Sequence, residues 1–294
     1  MGKYLLPVII GTLLGFIARI ILLRTDFRQY PTYPTGRIIH LSFGFIAAFI
    51  GSVAVPSVLD SDWTAVTFLG LAATQFREVR KMERDTLEKV DNKELVKRGQ
   101  AFIEGMAQAF EGRNYMVMFL ALISTLISVY NLWLGIILGF VLSFIIKYSI
   151  KGKLLRDMAE VSEGAIRFEG PNLYVGDIHI KNVGLETSRK VILERAVGAI
   201  ITPKNENGIV TFSNLGQRQA MLHHLANVLG SYLDTGEPDF VPLSKRKMED
   251  GRIALFFLPM EKEFQQIQQV LENVPILDSA IRLPSESNKG GRNK

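Results

Sequence analysis

YMVMFLALISTLISVYNLWLGIILGFVLSFII, residues 115–146, is a run of 32 residues without one charged side chain. A bilayer core of about 30 Å takes roughly 20 apolar residues in a helix. As one helix this run would be about 48 Å long, too long unless strongly tilted. Two helices of about 16 residues turning at Tyr130-Asn131 fit better, because flanking residues extend each one. Such a hairpin returns the chain to the side from which it came. The rest of the 294-residue chain sorts itself around this segment.

Working toward the N-terminus, Tyr4–Leu23 is a second apolar stretch, interrupted only by Arg19. It lacks the small-x-small site of a cleavable signal, and Arg24 and Arg28 follow at once. Ile38–Val55 is a third, with Gly44, Ala47, Ala48 and Gly51 suiting close helix packing in lipid. Trp63–Phe76 has 14 residues and spans only if its helix begins near Ser57, leaving Asp60 and Asp62 at the water. Residues 1–76 are therefore expected to hold three spans, and residues 115–150 a transmembrane hairpin of two more. Basic residues set the orientation. Arg24, Arg28 and Arg37 lie between the first two spans, the connection from Pro56 to Asp62 has no basic residue, and residues 77–114 carry nine. The Asn131 turn has none, and Lys147, Lys151, Lys153 and Arg156 follow the last span. This alternation predicts a multi-pass membrane protein with its N-terminus outside and everything after residue 150 in the cytoplasm.

Composition narrows the chemistry. There is no cysteine, which removes disulfides, iron–sulfur clusters, thiolate zinc sites and cysteine nucleophiles together. Residues 1–150 hold 15 basic and 11 acidic side chains and residues 151–294 hold 19 and 18, net charges of +4 and +1. That imbalance is too small to imply a nucleic-acid partner. No HExxH, GxSxG, phosphate-loop or dinucleotide glycine pattern occurs, so no cofactor and no metal is expected. His223-His224 is an adjacent pair on a predicted helix whose rings diverge by about 100°, and His179 falls in a predicted strand, so each reads as a core or solvent-facing histidine rather than a ligand. Asp60 and Asp62 read as a topology signal or a helix cap.

Within residues 77–114, Arg77–Gly99 has mixed charge and few apolar residues and reads as a solvated helix acting as a spacer. Gln100–Tyr115 differs, because Ile103, Met106, Ala107 and Phe110 make one apolar stripe while Glu104, Gln108 and Glu111 line the adjacent face. The words Phe102-Ile103-Glu104-Gly105-Met106-Ala107 and Gly112-Arg113-Asn114-Tyr115 resemble the motifs of the YIEGIA family, with Phe for the leading Tyr and Met for the second Ile. The resemblance covers essentially the whole chain, including its order of spans. It implies an integral membrane protein of endospore-forming bacteria that acts in spore formation. It implies no mechanism.

Several polar residues are expected at one depth. They are Arg19 and His40 near the cytoplasmic ends of the first two spans, and Glu104, Gly105, Glu111, Arg113 and Asn114 on the helix entering the fourth. An ionisable group near lipid pairs or reaches water, because a charge at the bilayer centre costs at least about 2.5–3.5 kcal/mol. Arg19 either snorkels to the headgroups or joins a packing pair, Arg19–Glu104 or Arg113–Glu111. This interfacial cluster is the candidate functional core.

From residue 151 to 283 the pattern becomes alternating short elements. Ala165–Glu169 and Leu173–Ile180 read as strands, and Val197–Thr202 with Gly208–Ser213 as a hairpin across Pro203–Asn207. A helix follows from a capping box at Asn214 and Gln217, with Met221, Leu225, Val228 and Tyr232 as its stripe. Asp234–Lys247 reads as a loop, Ile253–Leu258 as a strand, Glu261–Asn273 as a helix and Ile276–Leu283 as a strand. The expectation is a cytoplasmic α+β domain, a mixed sheet with two helices packed on one face, and a disordered tail over residues 284–294. Such a domain suits docking to proteins or to a second copy of the chain. The leading expectation is a noncatalytic scaffold or assembly factor in the cell membrane. The alternative is a membrane enzyme or transporter component that uses the Glu/Arg cluster.

Overall fold

The computed structural model describes residues 2–26, 34–149, 152–233 and 237–281. Arg28, Lys151 and the tail from residue 284 therefore lie outside the described residues. The chain divides into two compact units, residues 1–85 with 106–151, and residues 86–105 with 152–294.

The first unit is helical. α1 (Leu5–Asp26) and α2 (Pro34–Leu59) precede α3 (Trp63–Thr74) and α4 (Phe76–Asp91), which gives this unit its residues to 85. α5 (Gln100–Tyr130) contributes residues from 106 onward, and α6 (Leu132–Ser149) follows across Asn131. The Asn131 side chain accepts from the Leu134 amide at 3.1 Å and so starts α6 where the sequence placed the turn. Gly2–Leu23, Gly36–Leu59 and Gln100–Tyr130 are the three stretches of the described residues long and apolar enough to cross a membrane. α3 has 12 residues and rises only about 18 Å, and α6 has 18 and rises about 27 Å. α3 begins at Trp63 rather than near Ser57, because α2 continues through Pro56 to Leu59 and the Asp62 side chain then caps α3 by accepting from Ala65 N at 3.0 Å.

α1, α2 and α5 pack closely through small side chains. A Cβ at Gly15 would lie 2.8 Å from that of Ala48 and 3.0 Å from that of Ala121. Van der Waals fit, rather than water exclusion, holds helices together in lipid, and small residues permit it.

The second unit is α+β. Its short α7 (Leu155–Met158) leads into β1 (Ala159–Gly164), β2 (Ile166–Glu169), β3 (Asn172–Val175) and β4 (Ile178–Asn182). α8 (Glu186–Arg195), β5 (Val197–Pro203), α9 (Glu206–Ser213) and α10 (Leu215–Leu229) come next, then β6 (Leu243–Arg246), β7 (Ile253–Phe257) and α11 (Phe264–Glu272). The strands form two antiparallel sheets in place of one mixed sheet, with orders β1-β5-β7-β6 and β2-β3-β4. β5 and β7 are buried on both faces, which is why each reads as a continuous apolar run rather than an alternation. Ala199, Ile201, Ile253, Leu255 and Phe257 face α10 and α11, while Ile200, Ala254 and Phe256 face β3, β4 and α8.

Four local expectations are corrected. Residues 208–213 form α9 and not a hairpin strand, because β1 and β7 already occupy both edges of β5 and the Asn205 side chain caps the helix at Gly208 N, 2.9 Å. Leu173–Ile180 is two strands broken at Gly176, which has φ +61°. Asp234–Lys247 is no simple loop, since β6 pairs with β7 at its end. Residues 276–281 hold a single 3-10 turn instead of a strand, since the Gln217 amide takes the Pro275 carbonyl and the Leu277 N–H that a ladder would need.

Candidate functional site

In the first unit three of the buried ionisable side chains meet. Arg19 of α1 is 0% exposed, His40 of α2 2% and Glu83 of α4 2%. The Arg19 guanidinium approaches His40 Nδ1 at 3.5 Å, and His40 Nε2 meets Glu83 Oε1 at 3.3 Å. These contacts fit a neutral imidazole that accepts from arginine at Nδ1 and donates to the carboxylate at Nε2. Phe110 of α5 lies beneath both groups, its ring 4.5 Å from the His40 ring and 5.6 Å from the Arg19 guanidinium carbon. Its negative ring face favours the cation there. Gly44 completes the pocket, because a Cβ at that position would stand 2.2 Å from Arg19 Cγ. Three helices thus each supply one member of a buried polar triad, and α5 supplies the ring beneath it.

The sequence brought Arg19 and His40 into one cluster and missed Glu83. Its signal was present, because Phe76, Glu83 and Leu87 fall on one helical face and all three are buried. The charged run Arg77–Gly99 is therefore no solvated spacer: α4 carries a buried stripe with a carboxylate inside it. Glu111 is engaged by Arg80 at 3.2 Å, where the sequence suggested Arg113. Arg113 and Asn114 are buried on α5, and the Asn114 amide has no hydrogen-bond partner among the described residues.

Glu104 and Gly105 belong to the second unit. There the first half of the motif is seated on α10. Phe102 N donates to Gln219 Oε1 at 3.3 Å, and the Phe102 ring meets His223 edge-on at 6.4 Å. A Cβ at Gly105 would lie 2.4 Å from Ser279 Oγ, and one at Gly216 2.7 Å from the Ala101 carbonyl. Asp91 holds the preceding turn by accepting from Arg98 N at 2.6 Å and Gly99 N at 3.2 Å. His223 donates from Nδ1 to the Val96 carbonyl at 2.8 Å and accepts at Nε2 from Asn227 at 2.8 Å. Burial pushes its pKa down, so the neutral ring suits this bridging role. His179 instead stands at the surface beside Asn182 and Lys245. Among the described residues no group of three or more His, Asp or Glu side chains is placed to hold a metal ion.

A concavity of about 560 Å³ opens elsewhere in this unit, lined in part by Leu185, Ser188, Val191, Tyr232, Phe240 and Met260. Leu185 and Met260 on its rim are 65% and 60% exposed.

A family model described as YIEGIA protein matches residues 7–287. The uncharacterized protein YphB of Bacillus subtilis (strain 168) is 45% identical over 287 residues, which cover 97% of this chain and 97% of that one. No solved structure matches.

Proposed function

The chain belongs to the YIEGIA family, and from its architecture we propose a noncatalytic membrane scaffold or assembly factor that docks partners through its α+β unit. The family resemblance supports spore formation as the setting, in the membrane of an endospore-forming bacterium. One observation carries the noncatalytic reading: Arg19, His40 and Glu83 are turned toward each other and away from solvent, at 0%, 2% and 2% exposure. A membrane enzyme or transporter component would need the same groups facing a substrate path. Buried and mutually paired, they do what polar groups do between packed helices, which is to fix which faces meet. The apolar rim around Leu185 and Met260 supports docking of a protein partner.

The separating experiment places Arg19→Lys, His40→Gln and Glu83→Gln variants of the full chain in spore-forming cells and compares membrane accumulation with spore yield. Under the scaffold reading the two fall together, because each variant weakens the bundle. A variant that accumulates at the normal level and still abolishes spore yield would mark a reacting or transporting group and reject the proposal.

A further inference from the structure

Among the described residues, two arginines of the α+β unit, Arg218 and Arg246, have no carboxylate within ion-pair distance. Arg218 closes the first turn of α10, and Arg246 ends β6, the edge strand of the four-stranded sheet. The β6–β7 register pairs Arg246 with Ile253 and Ser244 with Leu255. Paired residues of an antiparallel ladder share a face. Ile253 and Leu255 point into the core that Met221, Leu222 and Leu225 of α10 cover, so Arg246 leaves the sheet on the α10 side. Arg218 stands one turn before Leu222 on that helix.

Both side chains are half-buried, and the Nε of each is closed from solvent with no hydrogen-bond acceptor among the described residues. The other described arginines of residues 152–281 are all occupied. Arg156 meets Asn273, Arg167 meets Glu169, Arg189 reaches the Gly170 carbonyl, Arg195 lies over Tyr232 and Arg252 pairs with Asp177 and Asp250. Burial first, and then the charge of Arg246, pull the Arg218 pKa down, so the two cations are close enough to repel. A guanidinium keeps its charge near neutral pH. Two half-buried like charges are costly to leave unmatched.

We propose that Arg218 and Arg246 form a binding site for a phosphate group. A dianion balances both cations, and its tetrahedral oxygens offer enough acceptors for two planar forks, where a carboxylate would be filled by one. The phosphate is either free or the headgroup of a phosphomonoester lipid, and the chemistry of capture is shared.

The test titrates the full chain in neutral detergent micelles with inorganic phosphate, at ionic strength held constant with chloride, and in a parallel arm with short-chain phosphatidic acid. The expected result is saturable binding by calorimetry and a matching rise in unfolding temperature. Arg218→Gln or Arg246→Gln each weakens binding about tenfold or more. Without phosphate, Arg246→Gln unfolds no earlier than the parent chain, since the substitution relieves repulsion, and this separates loss of the site from loss of the fold. Phosphatidic acid binding more tightly than inorganic phosphate assigns the site to a lipid headgroup, and the reverse order assigns it to free phosphate. Equal stabilisation of parent and variant chains, or binding of neither probe in the millimolar range, overturns the proposal.

Discussion

Arg19 can lie sealed among four helices because position 44 has no side chain. A methyl there would stand 2.2 Å from Arg19 Cγ and 2.9 Å from Cδ, against the fixed root of the side chain and not its mobile end. Gly44→Ala is therefore expected to push the guanidinium off His40 and cost about 1–3 kcal/mol of overpacking. Thermal unfolding of the purified chain in micelles checks this, with Gly70→Ala as control, because a Cβ at Gly70 meets nothing within 4 Å. Equal unfolding temperatures for the two variants would contradict the close approach. At the surface of the α+β unit a different carboxylate responds to acid. Asp177, hydrogen-bonded by Lys247 and Arg252, has its pKa lowered to about 2 from 3.8. A carboxylate with a depressed folded pKa contributes stability that is fully present above about 3.8 and is lost as pH falls through about 2. Hydrogen-exchange protection of residues 247–252, corrected for intrinsic rates, should therefore fall between pH 4 and 2. In Asp177→Asn it should start lower and fall less across that window, the remaining fall belonging to Asp250, which holds Arg252 from the same turn.

Elements with strong local signals were legible, and elements decided by a distant partner were not. The turn at Asn131, the N-cap at Asn214 and the buried strands β5 and β7 all follow from residues within a few positions of themselves. Residues 208–213 show the failure. Gly208-Ile209-Val210-Thr211-Phe212 carries β-branched side chains that favour a strand, yet every ladder position beside β5 is filled by β1 or β7. The segment closes into α9, with Phe212 in the core and Asn205 as its cap. Asn205→Ala should cost about 1 kcal/mol, the usual loss for a capping side chain. Amide exchange in β5 under increasing denaturant is the readout, and no change in midpoint would mean that packing alone holds the helix. The capping box at Asn214 was half right for a related reason. Asn214 caps Gln217 N, but the Gln217 amide is drawn away to Pro275 and Leu277 across the unit. Glu83 was hidden in the same way, its apolar face outvoted by the charged residues around it.

At the scale of the whole molecule, helix length and loop charge bear on different questions. Length and composition qualify three helical stretches to cross a membrane, and neither says which end is outside. Orientation rests on lysine and arginine: residues 77–114 carry nine, and the Pro56–Asp62 and Asn131 connections carry none. Moving positive charge outward across a bilayer is disfavoured during insertion, so bare loops translocate and basic ones stay. α3, at about 18 Å, is the weak member of the five-span path that the loop charges predict. Its orientation is still constrained, because the loop before it carries Asp60 and Asp62 and the segment after it opens with Arg77, Arg80 and Lys81. Reporters fused after residues 62, 131 and 150 test the path in full. An alkaline phosphatase, active only outside, is expected to work at 62 and 131 and fail at 150, and a fluorescent protein that matures only in the cytoplasm should show the opposite. Activity outside at 131 with none at 62 would remove α3 as a crossing and leave the α5–α6 hairpin intact. Phosphatase activity after residue 150 would place the α+β unit outside and overturn the orientation that the loop charges predict for it.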